Sequence, residues 1–577
     1  MENDANYSDK EDHEDELDEE TTKIQEPLLS ITNTKGGFKT IPFILANEAF
    51  EKLASSGLGP NMIIYLMSEY NMSMTTASNF IFIWSAATTF FPILGAIIAD
   101  SYLGRFTMIA VGSLVSLLGM ILLWLTTIIQ QSRPSHCDQQ QFITDSDDNN
   151  NCEFPSIPQI IFLCIAFGLM SIGAGGTRSS SLAFGTDQLQ TDHRLKTPGA
   201  LASYFSWYYA SSAFSIIVAI TLIVYIQDNI GWTVGFGVPV VLMFISTVFF
   251  FSASRLYVKR KPKPSLIVGL FQVVAASYKN RHIKMMSTHD YYCHKDQLVP
   301  SESFGFLNKA CVIKDRELDL TSEGEALDPW CLCTVEQVEE LKSLIKVFPL
   351  WSTGIMLCVI INQGSFRVIQ AAAMDRHVSS TFEIPPGSFG VFMVISVILW
   401  IGLYDRVILP LASKIMGKPA HMTAKTRMGV GLFLSFITIA TTALVESFRR
   451  AKPPTVKMSA MWLIPQNCLA GLAEALNMIG QNEFYISEFP DSMASIASTL
   501  TGVGWSVGSL LASFILSSVD IATKKKDGTE SWVSSDINKG HYDYYCWLLS
   551  GLSLVNLMYF VICSRSYGPC KGQGLSR

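Results

Sequence analysis

Three charged residues, Glu48, Glu51 and Lys52, stand inside an otherwise apolar stretch of helical length that runs from Ile41 to Met67. An ionisable side chain in hydrocarbon costs several kcal/mol, so it turns toward a protein interior and marks a path for an ion or solute. A chain with this feature is expected to build helices around a polar interior, and transport is the first function it suggests.

The rest of the chain supplies the helices. Of 577 residues, 49% are hydrophobic and 16% charged, and a bilayer core takes about 20 apolar residues per helical span. Runs of that length predict spans at Phe38–Met67, Ala77–Ala99, Phe106–Ile129, Ile157–Gly176, Leu201–Ile226 and Trp232–Ala253. A second set follows at Val335–Gln370, Ser388–Leu411, Met428–Glu446, Met461–Ile486, Ile496–Val519 and Tyr545–Cys563. The expected fold is an all-α membrane protein of twelve spans in two six-helix bundles, 35–254 and 335–565. Residues 255–334 form a long linker, too polar to span, with an amphipathic helix near Leu266–Tyr278 that is expected to join the bundles rather than lie on the membrane. Residues 566–577 form a short tail.

Net charge of −7 misleads, because Glu2 to Glu26 carries twelve acidic residues against Lys10 and Lys23 and leaves 40 basic against 37 acidic residues elsewhere. Residues 1–34 lack an apolar core and are expected to be disordered. They also lack the pattern of a cleaved leader, so the first span is expected to act as an uncleaved anchor.

Basic residues set the orientation. Arg105, Arg194, Lys196, Arg406, Lys414, Lys418, Lys425 and Arg427 fall in loops on the same side as Arg255, Lys259, Arg260, Lys261 and Lys263 of the linker. That side, with both termini, is therefore expected in the cytosol of a multi-pass protein of the plasma membrane. Arg449, Arg450, Lys452, Lys457 and Lys524–Lys526 run against the rule. The sequon at Asn71 falls in the first outside loop, where a glycan could be attached. Cys137 and Cys152 share the outside loop between the third and fourth spans, the place where a disulfide is expected. Cys331 and Cys333 make a bare CxC without further ligands at metal spacing, and no metal or cofactor is called for.

The charges inside the spans are few. Besides the first three there are Arg178 at the end of the fourth span, Lys346 and Arg367 in the seventh, and Glu474 and Glu483 in the tenth, so both halves contribute. Glu48 and Lys52 are four residues apart and can pair on one helix face. Gly173, Gly175 and Gly176 permit close helix approach, which would carry the Arg178 guanidinium toward a neighbouring span. None of the nine histidines lies well inside a span, and arginine keeps its proton. Carboxylates are thus the proton carriers available.

Ordered motifs then carry a resemblance. Gly95–Ala96 followed by Ala99–Phe106, Glu48–Lys52, Gly175–Arg178, Phe184–Gln188, Phe382–Pro386, Tyr404–Arg406, Leu463–Gln466, Gly471–Ala475 and Gly480–Phe484 together resemble the proton-coupled oligopeptide transporters of the major facilitator superfamily. The long linker and the Phe382–Pro386 stretch are similar to the plant nitrate transporter 1/peptide transporter family. The resemblance implies alternating access between two bundles about a midplane cavity, driven by an inward proton gradient. It implies proton coupling at Glu48, Glu51 and Lys52, and solute binding at Arg178 and Glu474. Asp100 and Arg105 would form a cytosolic gating loop, and Tyr204, Trp207, Tyr208 and Tyr209 would line the cavity. From the residues themselves, Asn362, Gln363, Lys346 and Arg367 join the solute-binding candidates.

Two departures matter. Lys52 stands where the family motif has arginine, so a bidentate fork is lost. Ile361 stands where nitrate-binding members resemble one another in carrying a histidine. The expected function is proton symport of a small anionic or zwitterionic solute, with nitrate first on family weight and dipeptides or tripeptides, gibberellin and abscisic acid as alternatives. A nitrate sensor signalling through its cytosolic segments is the alternative of another class. Ser101, in the gating loop, would be a site for a regulatory kinase. Solute, protons and lipid are the expected partners, not nucleic acid, and no hydrolase arrangement supports an enzyme.

Overall fold

The computed structural model describes residues 36–135, 154–190, 198–260, 266–283, 291–293, 299–321, 324–417, 422–453, 456–490, 493–524 and 530–568. Cys137, Cys152 and the acidic segment 1–34 lie outside them. Among the described residues the regular structure is helical, with isolated β-bridges only.

The first span is broken. Ile41–Leu58 stops at Gly59–Pro60, and Met62–Ser68 resumes; proline cannot donate to the preceding turn and sterically ends it. The second and third spans are Met74–Ile98 and Arg105–Ile128. The fourth, Ile157–Gln190, continues well past Gly176, so Arg178 lies inside a helix and not at its end. The fifth runs from Pro198 through a π turn at Ala219–Ile223 to Asn229, and the sixth is Trp232–Ser252. In the second half, Val335–Asn362 and Gly364–Ala372 form the seventh span. A 3-10 turn, Pro386–Gly390, leads into the eighth, which runs from Val391–Leu403 through a π turn at Tyr404–Ile408 into Leu409–Met416. Ala424–Ala451, Ile464–Glu488, Ala494–Thr523 and Tyr542–Tyr567 complete the set.

Ten of these segments are long and apolar enough to cross a membrane. The first and tenth spans are not among the ten, because they carry the ionisable and amide side chains of the interior.

The halves repeat one packing plan. The third span lies along the fourth as the ninth lies along the tenth, and the halves meet where the second span runs beside the eleventh and the fifth beside the eighth. Close approach of the third and fourth spans is a glycine effect, since a Cβ on Gly173 would overlap the Ser116 backbone nitrogen.

Among the described residues, polar contacts between the halves gather at the end remote from the linker and at mid-depth. Met74 N donates to Ser535 Oγ at 3.1 Å, Asn79 Nδ2 to Ser517 Oγ at 2.9 Å, and Ser85 Oγ to Asn362 Oδ1 at 3.3 Å. Ser388 Oγ donates to the Ile220 carbonyl at 2.9 Å. Shared apolar packing of Met74 and Phe82 with Met356, Ile360 and Leu516 seals the same end. The molecule is therefore closed at the end remote from the linker.

The linker belongs to the second half. Helix Leu266–Lys279 buries Leu270, Val273 and Ala276 against the turn Leu307–Cys311 and the start of the seventh span. Lys342 Nζ ties it further, donating to the Ser301 carbonyl at 2.7 Å.

Two of the basic residues that broke the orientation rule are neutralised locally. Arg449 makes a forked pair with fully buried Glu446, Nε to Oε2 at 2.9 Å and Nη2 to Oε1 at 2.8 Å, while Gln370 Nε2 donates to the same carboxylate at 3.0 Å. Arg450 Nε stands 3.7 Å from Asp543 Oδ1. Removing one member of a buried pair strands the other charge, so Glu446→Ala is expected to lower stability by about 3–5 kcal/mol. The thermal unfolding midpoint of the detergent-solubilised protein tests this, and an unchanged midpoint contradicts it.

Candidate solute and proton site

A cavity of about 420 Å³ lies between the halves. Glu51, Ser55, Trp84 and Arg178 reach it from the first half, and Asn362, Arg367 and Asn467 from the second. Its wall at the end remote from the linker is built by irregular backbone: Gly59–Pro60 of the broken first span, Ile220 of the π turn, and Pro386–Gly390. Non-helical backbone at such depth is tolerated where it lines a cavity.

The first span presents its charges along two neighbouring lines. Glu48 is buried; Ser181 Oγ donates to its Oε2 at 2.8 Å, and Lys52 Nζ stands 4.0 Å from its Oε1, one helical turn away. The Tyr208 hydroxyl is turned toward Glu48 and Ser181. Glu51, also buried, faces the fourth span, with Arg178 Nε 3.8 Å from its Oε1. Arg178 Nη2 donates to Ser55 Oγ at 3.2 Å. Glu51 Oε2 and Arg178 Nε make no hydrogen bond. The pair is in electrostatic contact with spare bonding capacity on both partners, a state from which a carboxylate can take a proton and a guanidinium an anion.

In the second half, Arg367 is buried in the cavity wall and Nη2 donates to the Ile361 carbonyl at 3.3 Å. Glu474 lies within electrostatic reach of Arg367 but is not among the residues lining the cavity. Asn362 accepts from Ser85 across the two halves. Ile361 also lines the cavity, an aliphatic surface where a histidine would be a donor.

Several sequence expectations are corrected by placement. Lys346 is exposed, its ammonium 4.9 Å from the Tyr567 ring centroid at the linker end, so it is not a cavity cation. Gln363 is buried between the Val359 carbonyl, to which it donates at 3.0 Å, and the Tyr545 hydroxyl, from which it accepts at 3.2 Å. Trp207 and Tyr209 are exposed, and neither they nor Tyr204 and Tyr208 line the cavity; Tyr208 instead backs Glu48. Asn71 Nδ2 donates to the Ser135 carbonyl at 3.0 Å, which engages the nitrogen a glycan would need. The Ser101 hydroxyl is covered, so phosphorylation there requires its loop to open.

Asp100 and Arg105 do meet. Arg105 Nε donates to Asp100 Oδ1 at 3.2 Å and Nη1 to Asp187 Oδ2 at 2.8 Å, and Arg260 Nη1 stands 3.1 Å from Asp187 Oδ1. This network ties the loop after the second span to the end of the fourth and to the start of the linker. Sequence reasoning missed Ser181, Ser55, Trp84 and Asn467; short polar side chains in apolar spans were the available signal, weak because such residues also pack.

Comparison with known proteins shows the family and agrees with the fold. The model of the POT family matches residues 106–533. NRT1/PTR family 1.2 of Arabidopsis thaliana is 51% identical over 559 residues, covering 94% of this chain and 91% of its own. NRT1/PTR family 1.1 of the same plant is 50% identical over 568 residues, covering 95% and 94%. Among solved structures, the POT family transporter PepTSo superposes with a TM-score of 0.69 at 18% identity, covering 92% of this chain and 98% of its own. That likeness fixes the fold as the one shared by these major facilitator transporters. The chain is a multi-pass membrane transporter, not an enzyme, and belongs to the NRT1/PTR branch of the POT family.

Proposed function

We propose that this transporter is a proton-coupled symporter of a small anionic solute, with nitrate first, working by alternating access with its linker end in the cytosol. The observation that carries the reading is the loose Glu51–Arg178 pair in the cavity wall. A solute anion drawn to Arg178 competes with Glu51 for the guanidinium, and a proton on Glu51 removes that competition. Proton and anion then favour one another's binding, as linkage requires. Glu48, supported by Ser181 and Tyr208 and neighboured by Lys52, is the second coupling carboxylate, and Arg367 is a second cation for the solute in the opposite half. Basic residues at the linker end support the cytosolic assignment, and the plasma membrane is its proposed location.

Cavity size favours a second reading. Water in the liquid occupies about 30 Å³, so the cavity far exceeds the needs of nitrate and suits an organic carboxylate with an apolar body. Leu58, Met120, Met170, Ile361 and Phe389 give the rest of the wall apolar surface, among which stand the hydroxyl residues Ser85, Thr88, Thr89, Ser116 and Ser365. Glu474 and Arg367 together would accommodate the amine and carboxylate of a short peptide only if Glu474 turned inward. Uptake into proteoliposomes of nitrate, dipeptides, gibberellin and abscisic acid at acidic and neutral external pH separates these readings. Concentrative uptake of nitrate stimulated by external acid is the expected result. Saturable binding with no accumulation of any of them would favour a sensor and overturn the proposal.

A further inference from the structure

Arg376, after the seventh span, sits at the end remote from the linker. Its Nη2 lies 2.8 Å from Glu383 Oε1 and its Nη1 donates to the Ile384 carbonyl at 3.1 Å, both within its own half. The same Nη1 stands 3.6 Å from Asp228 Oδ2, at the end of the fifth span in the other half. Asp228 and Arg376 thus form an ion pair that joins the two halves.

Its surroundings are a roof. Phe382 stacks on Tyr225 with ring centroids 6.4 Å apart, and Ser388 holds the Ile220 carbonyl. A Cβ on Gly387 would overlap Asn61 Oδ1, so the strap rests directly on the break in the first span. Pro386, Gly387, Phe389 and Gly390 of this strap close the cavity. The Asp228–Arg376 pair ties this strap to the fifth span.

We infer that Asp228 and Arg376 form an ionic latch that holds the strap Arg376–Gly390 over the cavity, and that its release is part of opening toward the outside. Glu383 anchors Arg376 to the strap, whereas Asp228 anchors the strap to the opposite half. The two carboxylates therefore have separable roles. The inference rests on the alternating-access reading but not on the solute, because its readout needs no transport.

The test places a cysteine at Thr88, which lines the cavity, and measures its labelling in intact cells by a membrane-impermeant maleimide, with the parent chain carrying the native cysteines as background. Asp228→Asn is expected to speed labelling about fivefold by shifting the population toward the outward-open state. Asp228→Glu should return it to the parental rate, and Glu383→Gln should leave it near that rate. Surface biotinylation normalises each variant for amount. Equal rates in Asp228→Asn and the parent, or equal acceleration by Asp228→Asn and Glu383→Gln, would overturn the latch.

Discussion

Glu51→Gln is expected to abolish proton-driven accumulation while sparing solute exchange. The amide keeps the size of the side chain and can still touch Arg178, but it cannot carry a proton through the cycle. Uphill uptake at acidic external pH should fall to the background of vesicles without the protein, because no proton travels with the solute. Counterflow between preloaded and external solute needs no net proton movement and should persist. Equal loss of both activities would mean that Glu51 supports structure, and retention of both would mean that the proton travels elsewhere, with Glu48 the next candidate.

Arg178→Ala is expected to act on the solute instead. A charge-assisted hydrogen bond contributes about 1.5–3 kcal/mol, so losing it should raise the half-saturation concentration by about 10–100-fold. The variant also leaves Glu51 without its nearest cation in the cavity wall. Arg178→Lys tests geometry apart from charge. Lysine restores a point charge but not the planar fork, so a planar anion such as nitrate should be recovered only in part. A wild-type concentration dependence for nitrate in Arg178→Ala, at normal surface amount, would remove Arg178 from the solute site.

Much of this arrangement was legible in the chain because hydrocarbon penalises charge. Glu48, Glu51 and Arg178 were conspicuous within apolar runs, and the structure places all three between the first and fourth spans. The pairing itself was half readable: Glu48 with Lys52 follows from a helical turn, whereas Glu51 with Arg178 needs the tertiary approach of two helices. The glycines before Arg178 instead seat the fourth span on the second and third, since a Cβ on Gly175 would collide with Phe91 and one on Gly173 with Ser116.

What failed was rotation about the helix axis. Spans that are apolar on all sides give no stripe from which to read a facing, and Trp207, expected in the cavity, is exposed on the outer surface of its helix. Tyr208, one residue on, is buried against Glu48. Depth failed similarly for Lys346. The seventh span begins with polar turns beyond its apolar stretch, and Lys346 belongs to that part, against Tyr567. The strap from Arg376 to Gly390 was invisible because its partners, Asp228 and Asn61, come from distant parts of the chain and share no local pattern with it.

The claim on which the rest depends is that solute and proton meet at Glu51 and Arg178. Calorimetric titration of the purified protein with nitrate, in buffers of different ionisation enthalpy, measures the protons bound with each solute. Competition for Arg178 predicts net proton uptake with the solute in the wild type and none in Glu51→Gln. Saturable binding without proton uptake, or the same uptake in Glu51→Gln as in the wild type, would contradict the account.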